Sequence, residues 1–280
     1  MHKTLVERVQ DVAGNLTETE QRLISELLKA PREIALGTSS EFAARLGVHE
    51  ATTSRLSRKL GFAGYAQFRA HLREEFLRGS APASRISTTL DDTRSQGFLP
   101  LLIEREISAL AAISDHVADE RIVEAAKLLD CNRVFIYGHG NAETLVVLAE
   151  RRLRRLGITT QRLTGTRRDL AEQMLTLGPS DAVFLFAFRR QPPDYVHVME
   201  VAHDVGAPTV TISGTIGPAL QPKPHLLLSA PRAGSHDSFQ TLTVPMALCN
   251  AVILALADRR GSDALAKLDR LGGLIAKFEE

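Results

Sequence analysis

Residues 39–72 read SSEFAARLGVHEATTSRLSRKLGFAGYAQFRAHL and predict two short helices joined by a tight turn. The first helix begins near Ser39-Ser40, which are good N-cap residues, and runs to Leu46. Gly47 then supplies the positive φ that a sharp turn requires. The second helix spans residues 50–60, where apolar side chains recur at helical spacing. This arrangement has the dimensions of a helix-turn-helix motif.

The second helix of such a motif lies in the major groove of DNA, with its N-terminal residues against the base edges. The residues predicted to face the groove are His49, Glu50, Thr52, Thr53 and Arg55. Arg55 is the strongest candidate because arginine makes bidentate contacts to guanine. Thr53 is the weakest because it also lies on the packing face of the helix. Arg58 and Lys59, one turn further on, are predicted to contact phosphates of double-stranded DNA.

Charge along the 280-residue chain is uneven, although its net value is only +1. Residues 45–78 carry 7 basic and 3 acidic side chains, a local net charge of +4. Of the 34 basic residues in the chain, 27 are arginine, the side chain best suited to phosphate. A local basic patch fits either a phosphate-binding surface or the solvated face of a generic three-helix bundle, and charge alone leaves both open.

The composition excludes several classes of protein. With 44% hydrophobic and 24% charged residues, the chain is neither disordered nor fibrous, and its length suggests about two domains. No apolar run is long enough to span a membrane, and the charged stretch 1–14 is unlike a signal peptide. Cys131 and Cys249 make no disulfide framework. We therefore expect a cytoplasmic protein with no membrane partner.

The segments on either side of the motif suggest where the first domain ends. Thr17 and Glu20 form a capping box ahead of an apolar helix. Residues 79–97 are rich in Ser, Thr, Ala and Gly without an apolar period, which is typical of a flexible linker. We predict a helical domain over 1–79, then a linker and connecting helix over 80–119. Amphipathic helices are expected at about 98–114 and 117–130.

Beyond residue 130 short apolar runs alternate with helical stretches. The predicted strands cover residues 134–137, 182–186, 209–212 and 225–228, with a weaker one near 159–160. Near-continuously apolar strands that alternate with helices predict a parallel sheet covered on both faces. The fold class is therefore multidomain α/β, with an all-α bundle followed by an α/β domain over 120–261. A C-terminal helix is expected over 262–280.

The first predicted strand runs into a glycine turn, Gly138-His139-Gly140-Asn141. Amides of such a turn, at the start of a helix, can hold an anion. The dinucleotide-binding fingerprint requires a third glycine three residues after Gly140, but Glu143 stands there and its charge opposes a pyrophosphate. We therefore expect no nucleotide and no other cofactor.

The amino-acid sequences of both halves resemble one known family. LTETEQRLISELL at 16–28 and the segment 39–72 resemble the N-terminal domain of RpiR-type bacterial transcriptional regulators. Residues 120–261, which include GPSDAVFLFAF and VAHDVGAPTVTIS, resemble the SIS (sugar isomerase) domain of those regulators. The resemblance implies a flavodoxin-like parallel sheet and a homodimer or higher homo-oligomer that binds operator DNA. It also implies that the SIS domain senses a phosphorylated sugar.

Departures from the family pattern bear on both sites. His49 stands where serine is the more usual N-cap, and because histidine caps poorly we hypothesise that it is free to contact a base or phosphate. After the third strand, Phe186–Pro193 replaces a typical Ser-x-Ser-Gly loop and contains no hydroxyl. Arg189 and Arg190 in this loop either bind a small anionic effector or pair with acids across a dimer interface.

The candidate effector site draws on three loops. Its predicted residues are Gly138, Gly140, Asn141, Arg189, Arg190, Ser235 and Ser238. Isolated hydroxyls such as those of Ser235 and Ser238 are more often helix N-caps than ligand donors.

The second hypothesis for function is a sugar-phosphate isomerase with an accessory helical domain, which needs an acid–base pair. Its candidates would be His139, Glu143, His236 and Asp237, but the hydroxyl loop is missing. We therefore expect no catalytic residue, and the spacing of His and Cys predicts no metal site. The basic run 151–155 fits either a second nucleic-acid site or a solvated or interface face of a helix.

Overall fold

The described residues up to 129 form helices and the turns between them, and strands and helices make up the chain from residue 133 onward. The structure is a computed structural model that describes residues 5–29, 34–35, 37–78, 82–235 and 238–279. It divides into two compact units, one of Met1–Arg105 with Gly234–Gln240 and one of Glu106–Ala233 with Thr241–Glu280. Within the described residues, no helix has both the length and the apolar character needed to cross a membrane.

Seven helices begin in the described part of the N-terminal unit. They are α1 (Leu5–Val12), α2 (Glu18–Lys29), α3 (Ser39–Ala44), α4 (Glu50–Lys59), α5 (Tyr65–Arg78), α6 (Pro82–Gln96) and α7 (Phe98–Ala111). A buried apolar cluster joins the first five helices through Leu5, Leu23, Phe42, Leu56 and Phe68. The helix-turn-helix bundle expected from the sequence is therefore present, with Gly47 at φ 65° in its turn.

Helix α3 begins one residue earlier than the sequence suggested. Its N-cap is Thr38, not Ser39 or Ser40, because Thr38 has a carboxylate three residues on. The Thr38 amide donates to Glu41 Oε2 at 2.6 Å, and the Glu41 amide donates to Thr38 Oγ1 at 3.2 Å. These bonds from Thr38 hold the pKa of Glu41 below its ordinary value.

The prediction of a flexible linker over 79–97 is wrong for residues 82–96, which form helix α6. Its hydroxyl-rich composition is compatible with a helix because the hydroxyls donate to carbonyls one turn earlier. Thr89 donates to Arg85 O at 3.1 Å, and Thr93 donates to Leu90 O at 2.8 Å. Residues 79–81 lie outside the described part of the chain.

Five parallel strands form the sheet of the C-terminal unit, in the order β2-β1-β3-β4-β5. They are β1 (Arg133–Gly138), β2 (Thr159–Leu163), β3 (Ala182–Ala187), β4 (Thr209–Ser213) and β5 (Leu226–Ser229). This is the flavodoxin-like order, so the predicted fold class is confirmed. The strand with the weakest sequence pattern, β2, lies at the sheet edge, and its first four residues are polar and at least partly exposed, so that only Leu163 is buried.

Of the α-helices of this unit, two precede β1, one follows each of β1, β2 and β3, and two follow β5. They are α8 (Ile113–His116), α9 (Asp119–Leu129), α10 (Glu143–Arg155), α11 (Arg167–Met174), α12 (Tyr195–Asp204), α13 (Thr243–Arg260) and α14 (Ser262–Glu279).

Alternate residues of each strand enter opposite core layers, as the pleat of a strand requires. In β3, Phe184 packs in the layer with α9, α10 and α13, whereas Leu185 packs in the layer with α11 and α12. The chain leaves β1 toward one face and β3 toward the other. In this strand order, such a divergence opens a crevice at the carboxyl ends of β1 and β3, where ligands bind in related folds.

We expect Leu145→Ala to lower the free energy of unfolding of the C-terminal unit by about 2–5 kcal/mol, because Leu145 is 0% exposed in the first layer. The matched control is Leu175→Ala, which truncates a leucine that is 83% exposed and should change stability by less than about 0.5 kcal/mol. Urea unfolding followed by circular dichroism measures both. Equal losses in the two variants would contradict the assignment of this core.

Candidate functional site

The N-terminus of α4 is capped by the residue that was expected to be free. His49 Nδ1 accepts a hydrogen bond from the Ala51 amide at 3.2 Å, and the His49 side chain is otherwise exposed. The hypothesis that His49 is released from capping is therefore wrong. A neighbouring candidate is also engaged, since Glu50 Oε2 accepts a hydrogen bond from Ser40 Oγ at 2.9 Å and so links α3 to α4.

Thr53 cannot contact a base edge, because only 1% of it is exposed. Its hydroxyl donates to Glu50 O at 2.8 Å and lies 3.0 Å from Ser39 Oγ. The prediction that Thr53 reads DNA is wrong for this reason. Thr53 instead packs inside the bundle, on the helix face that the sequence identified as the packing face.

Lys59 is directed away from a phosphate-binding position. Its Nζ lies 2.7 Å from Glu20 Oε2 and also bonds to the carbonyl of Asn15. Burial alone would raise the pKa of Glu20, but hydrogen bonds from Lys59 and Thr17 lower it below its usual range. The ion pair ties α4 to the start of α2, which argues against the predicted phosphate contact of Lys59.

Two arginines remain exposed on α4 beyond its first turn. Arg55 and Arg58 are both exposed, and Arg55 Nη2 donates only a long hydrogen bond of 3.4 Å to Thr52 Oγ1. Among the residues that the structure describes, none forms an ion pair with Arg58. Thr52, Arg55 and Arg58 recur every three residues, so they follow one side of the helix.

The glycine turn after β1 is already occupied by a carboxylate of the same chain. Gly140, at φ 62°, donates its amide to Glu143 Oε1 at 3.1 Å. Gly138 is a glycine for packing reasons, since a Cβ there would lie 2.9 Å from Val146 Cγ2. These two residues shape the turn, and Asn141 beside them is exposed.

Arginines gather at the loops after β3 and β5. Arg189 adopts a φ of 58°, a strained conformation for a non-glycine residue, and Arg190 donates its amide to Phe188 O at 2.6 Å. The guanidinium of Arg232, three residues after β5, lies 5.2 Å from the centre of the Phe188 ring. Arg232 was not predicted, because a contact between loops distant in sequence has no local pattern. Its position just after a strand was the available signal.

Hydroxyl groups at this edge of the sheet are bonded to nearby carbonyls. Ser213 Oγ donates to Ala187 O and Ser229 Oγ donates to Gly214 O, both at 2.6 Å. Arginine side chains are therefore the main donors for an anion here.

Two other predicted effector residues belong to the segment Gly234–Gln240, which groups with the N-terminal unit. Ser238 is buried and donates to Ser235 O at 2.8 Å, which fits a turn residue and argues against a ligand donor. His236 and Asp237 lie outside the described residues. In the described part of the chain, no group of three His, Cys, Asp or Glu residues could hold a metal ion.

The two units thus define a class of protein in which a helix-turn-helix bundle precedes a flavodoxin-like α/β domain. The family profile described as "helix-turn-helix domain, rpiR family" matches residues 3–79, and that of the SIS domain matches residues 127–255. Together the profiles cover more than half of the chain, in the expected order. The chain belongs to the RpiR family of helix-turn-helix proteins that carry an SIS domain.

Curated relatives share modest identity with the chain. It is 27% identical to a "bifunctional protein glk" of Paraburkholderia xenovorans over 213 residues, which cover 76% of the chain and 33% of that protein. The chain therefore spans about a third of the length of this bifunctional relative. It is 21% identical to an "uncharacterized HTH-type transcriptional regulator" of Haemophilus influenzae, with 82% of the chain and 81% of the relative covered.

Solved structures share the fold. The sugar isomerase domain of an RpiR transcription factor from Sphaerobacter thermophilus matches 61% of the chain and 95% of its own, at a TM-score of 0.55 and 23% identity. The Vibrio vulnificus NanR protein complexed with ManNAc-6P matches 98% of the chain and 99% of its own, at a TM-score of 0.55 and 14% identity.

We expect Thr53→Val to destabilise the N-terminal bundle by about 1–2 kcal/mol, because the nearly isosteric change removes a buried hydroxyl and leaves its partners unsatisfied. Thr52→Val, one residue earlier and less buried, should change stability by less than about 0.5 kcal/mol. Thermal unfolding of the two variants tests this difference. A greater loss of stability in Thr52→Val would mean that Thr52, and not Thr53, faces the core of the bundle.

Proposed function

We propose that the chain is a transcriptional regulator that binds operator DNA through α4. The observation that carries this proposal is the pair Arg55 and Arg58, which are exposed while Thr53 and Lys59 stabilise the bundle. Arg55 reads a guanine edge and Arg58 contacts a phosphate. The match to the RpiR helix-turn-helix profile and the regulator relatives support this assignment.

Fluorescence anisotropy with duplex DNA from upstream of the chain's own gene tests the proposal. Arg55→Ala should lose about 1–3 kcal/mol of binding free energy on the preferred sequence and relax its selectivity. Arg58→Ala should weaken binding to all sequences alike and reduce the salt slope by about 0.9, since one phosphate contact is lost.

The matched control for these variants is Arg168→Ala, which removes an arginine on α11 whose side chain is 88% exposed. It should leave DNA affinity and the salt slope unchanged. Equal losses in Arg168→Ala and Arg58→Ala would mean that binding reflects overall charge, and DNA binding through α4 would be excluded.

We further propose that the SIS unit senses a small anionic metabolite at the carboxyl edge of the sheet. Because Glu143 already accepts the Gly140 amide, the anion binds instead to the arginines of the β3 and β5 loops. Arg190 is the main candidate, since it is exposed and, within the described residues, no carboxylate pairs with it. The structural similarity to NanR complexed with ManNAc-6P supports testing phosphosugars first.

In this proposal the ligand acts through linkage in a homodimer or higher homo-oligomer. A ligand shifts an equilibrium only by its differential affinity for two states. Here the two states differ in how well a pair of helix-turn-helix units matches the spacing of the operator half-sites. Ligand binding and operator affinity are then reciprocally coupled.

Melting temperature measured with ManNAc-6P, glucose 6-phosphate and inorganic phosphate tests the effector site. We expect at least one phosphosugar to raise the melting temperature, by an amount equivalent to about 2.7 kcal/mol at a hundred times its Kd. Arg190→Gln should abolish the rise, and the control Arg168→Gln should keep it. A rise that survives in Arg190→Gln would place the ligand elsewhere.

The competing function is sugar-phosphate isomerisation, and we propose that this chain does not catalyse it. No hydroxyl remains in the loop Phe186–Pro193, and the glycine turn presents its amide to Glu143. Assays for aldose–ketose interconversion of phosphosugars that raise the melting temperature decide between the two. Turnover without DNA binding would favour the isomerase.

A further inference from the structure

A groove with a strongly basic lining lies between the C-terminal end of α10 and the helix α14. Its volume is about 520 Å³. Its cationic lining consists of Arg151, Arg154, Arg155, Lys267 and Arg270. Its apolar lining consists of Leu271, Leu274 and Ile275. We refer to it as the basic groove.

Contacts at both ends of the basic groove fix its walls. The stem of Lys267 packs over Gly157, where a Cβ would lie 3.1 Å from Lys267 Cγ, and the φ of 80° at this position favours glycine. Arg260, at the end of α13, donates to Leu156 O at 3.1 Å and to Cys131 O at 2.8 Å. The junction that leads into α14 is thereby tied to the residue that follows α10, and contacts within the chain set the position of both walls.

The cations of the basic groove lack direct ion-pair partners in the described part of the chain. Within the described residues, none of its five cations forms an ion pair, and the nearby carboxylate of Glu150 pairs with Arg162 at 3.2 Å. Cations in the last turn of a helix are favourable on their own, which accounts for Arg154 and Arg155. This helix-dipole effect does not account for Lys267 and Arg270, which lie outside the last turn of α14. Like charges held together without a counterion destabilise the folded chain, so a bound anion would relieve a real cost.

We propose that the basic groove binds a small amphiphilic anion, with an aliphatic or aromatic body and at least one phosphate or carboxylate. The arginines supply charge-assisted hydrogen bonds to the anion. The side chains of Leu274 and Ile275, 43% and 47% exposed, supply an apolar surface for the body. The volume lies within the range of about 300–1,000 Å³ that is usual for small-molecule sites.

Two other occupants fit the basic groove less well. A DNA backbone offers nothing to cover the leucine and isoleucine side chains. A second copy paired through this face across a two-fold axis would bring both sets of cations together, which opposes association.

Isothermal titration of the full chain with octyl phosphate tests the proposal, because this probe combines an eight-carbon chain with a phosphate. Octanol and inorganic phosphate each supply one of the two features alone. We expect octyl phosphate to bind at least about tenfold more tightly than either, since both parts of the lining then contribute. Equal affinity for octyl phosphate and inorganic phosphate would overturn the proposal.

Matched variants locate the binding. The double variant Arg151→Gln, Arg155→Gln should weaken octyl phosphate binding at least about tenfold. Arg152→Gln, which changes an exposed arginine on the same helix outside the groove, should not. Ile275→Asn should weaken binding, whereas Leu265→Asn, at a 63% exposed position outside the groove, should not. Circular dichroism melts confirm that each variant folds.

The other occupants give distinct results that overturn the proposal. If Ile275→Asn changes the oligomeric state in analytical ultracentrifugation, the groove holds a second copy. If the double variant loses DNA affinity and keeps its affinity for octyl phosphate, the groove is a nucleic-acid contact. Because Arg190→Gln should leave octyl phosphate binding unchanged, failure of the effector proposal is distinguishable from failure of this one.

Discussion

A carboxylate that accepts the backbone amide three residues before it fixes where helices of both units begin. Glu20 pairs with Thr17, Glu41 with Thr38, and Asp169 with Thr166 in this way. The same contact from Glu143 to Gly140 sets the entry to α10. Each of these contacts satisfies an amide that the start of a helix otherwise leaves without a partner. Helix α4, whose own N-cap is His49, is in turn tied to two of these helices, through Ser40 of α3 and Glu20 of α2.

Threonine, serine and lysine side chains near the two proposed sites form hydrogen bonds within the chain. Thr53 and Ser213 bond to nearby carbonyls, and Lys59 bonds to Glu20. The long, always-charged side chains of arginine remain for external anions, as Arg58 and Arg190 illustrate. The arginine bias of the composition therefore fits the proposed sites, because it supplies guanidinium groups where a glycine amide and nearby hydroxyls are already used.

The sequence correctly predicted the features that follow from local periodicity. It did not predict contacts between residues that are distant from each other in the sequence. The two helices around Gly47 and the parallel sheet were recognisable because each rests on a short-range pattern. Residues 82–96 were misread because serine and threonine can satisfy their hydroxyls within a helix. The pairing of Lys59 with Glu20 and the placement of Arg232 on Phe188 join distant segments, so no local signal identifies them.

Helix α10 relates the two regions of the C-terminal unit that are proposed to bind anions. It starts at the glycine turn after β1 and ends just before β2, whose first residue, Thr159, pairs with Arg133 at the start of β1. Since the two strands are parallel, the helix runs back across the sheet. It therefore begins at the carboxyl ends of the strands and ends at their amino ends. The effector loops and the basic groove are therefore separated by about the length of α10, roughly 20 Å at 1.5 Å per residue. A small ligand at one cannot reach the other, so the two proposed sites are independent of each other unless the helix itself moves.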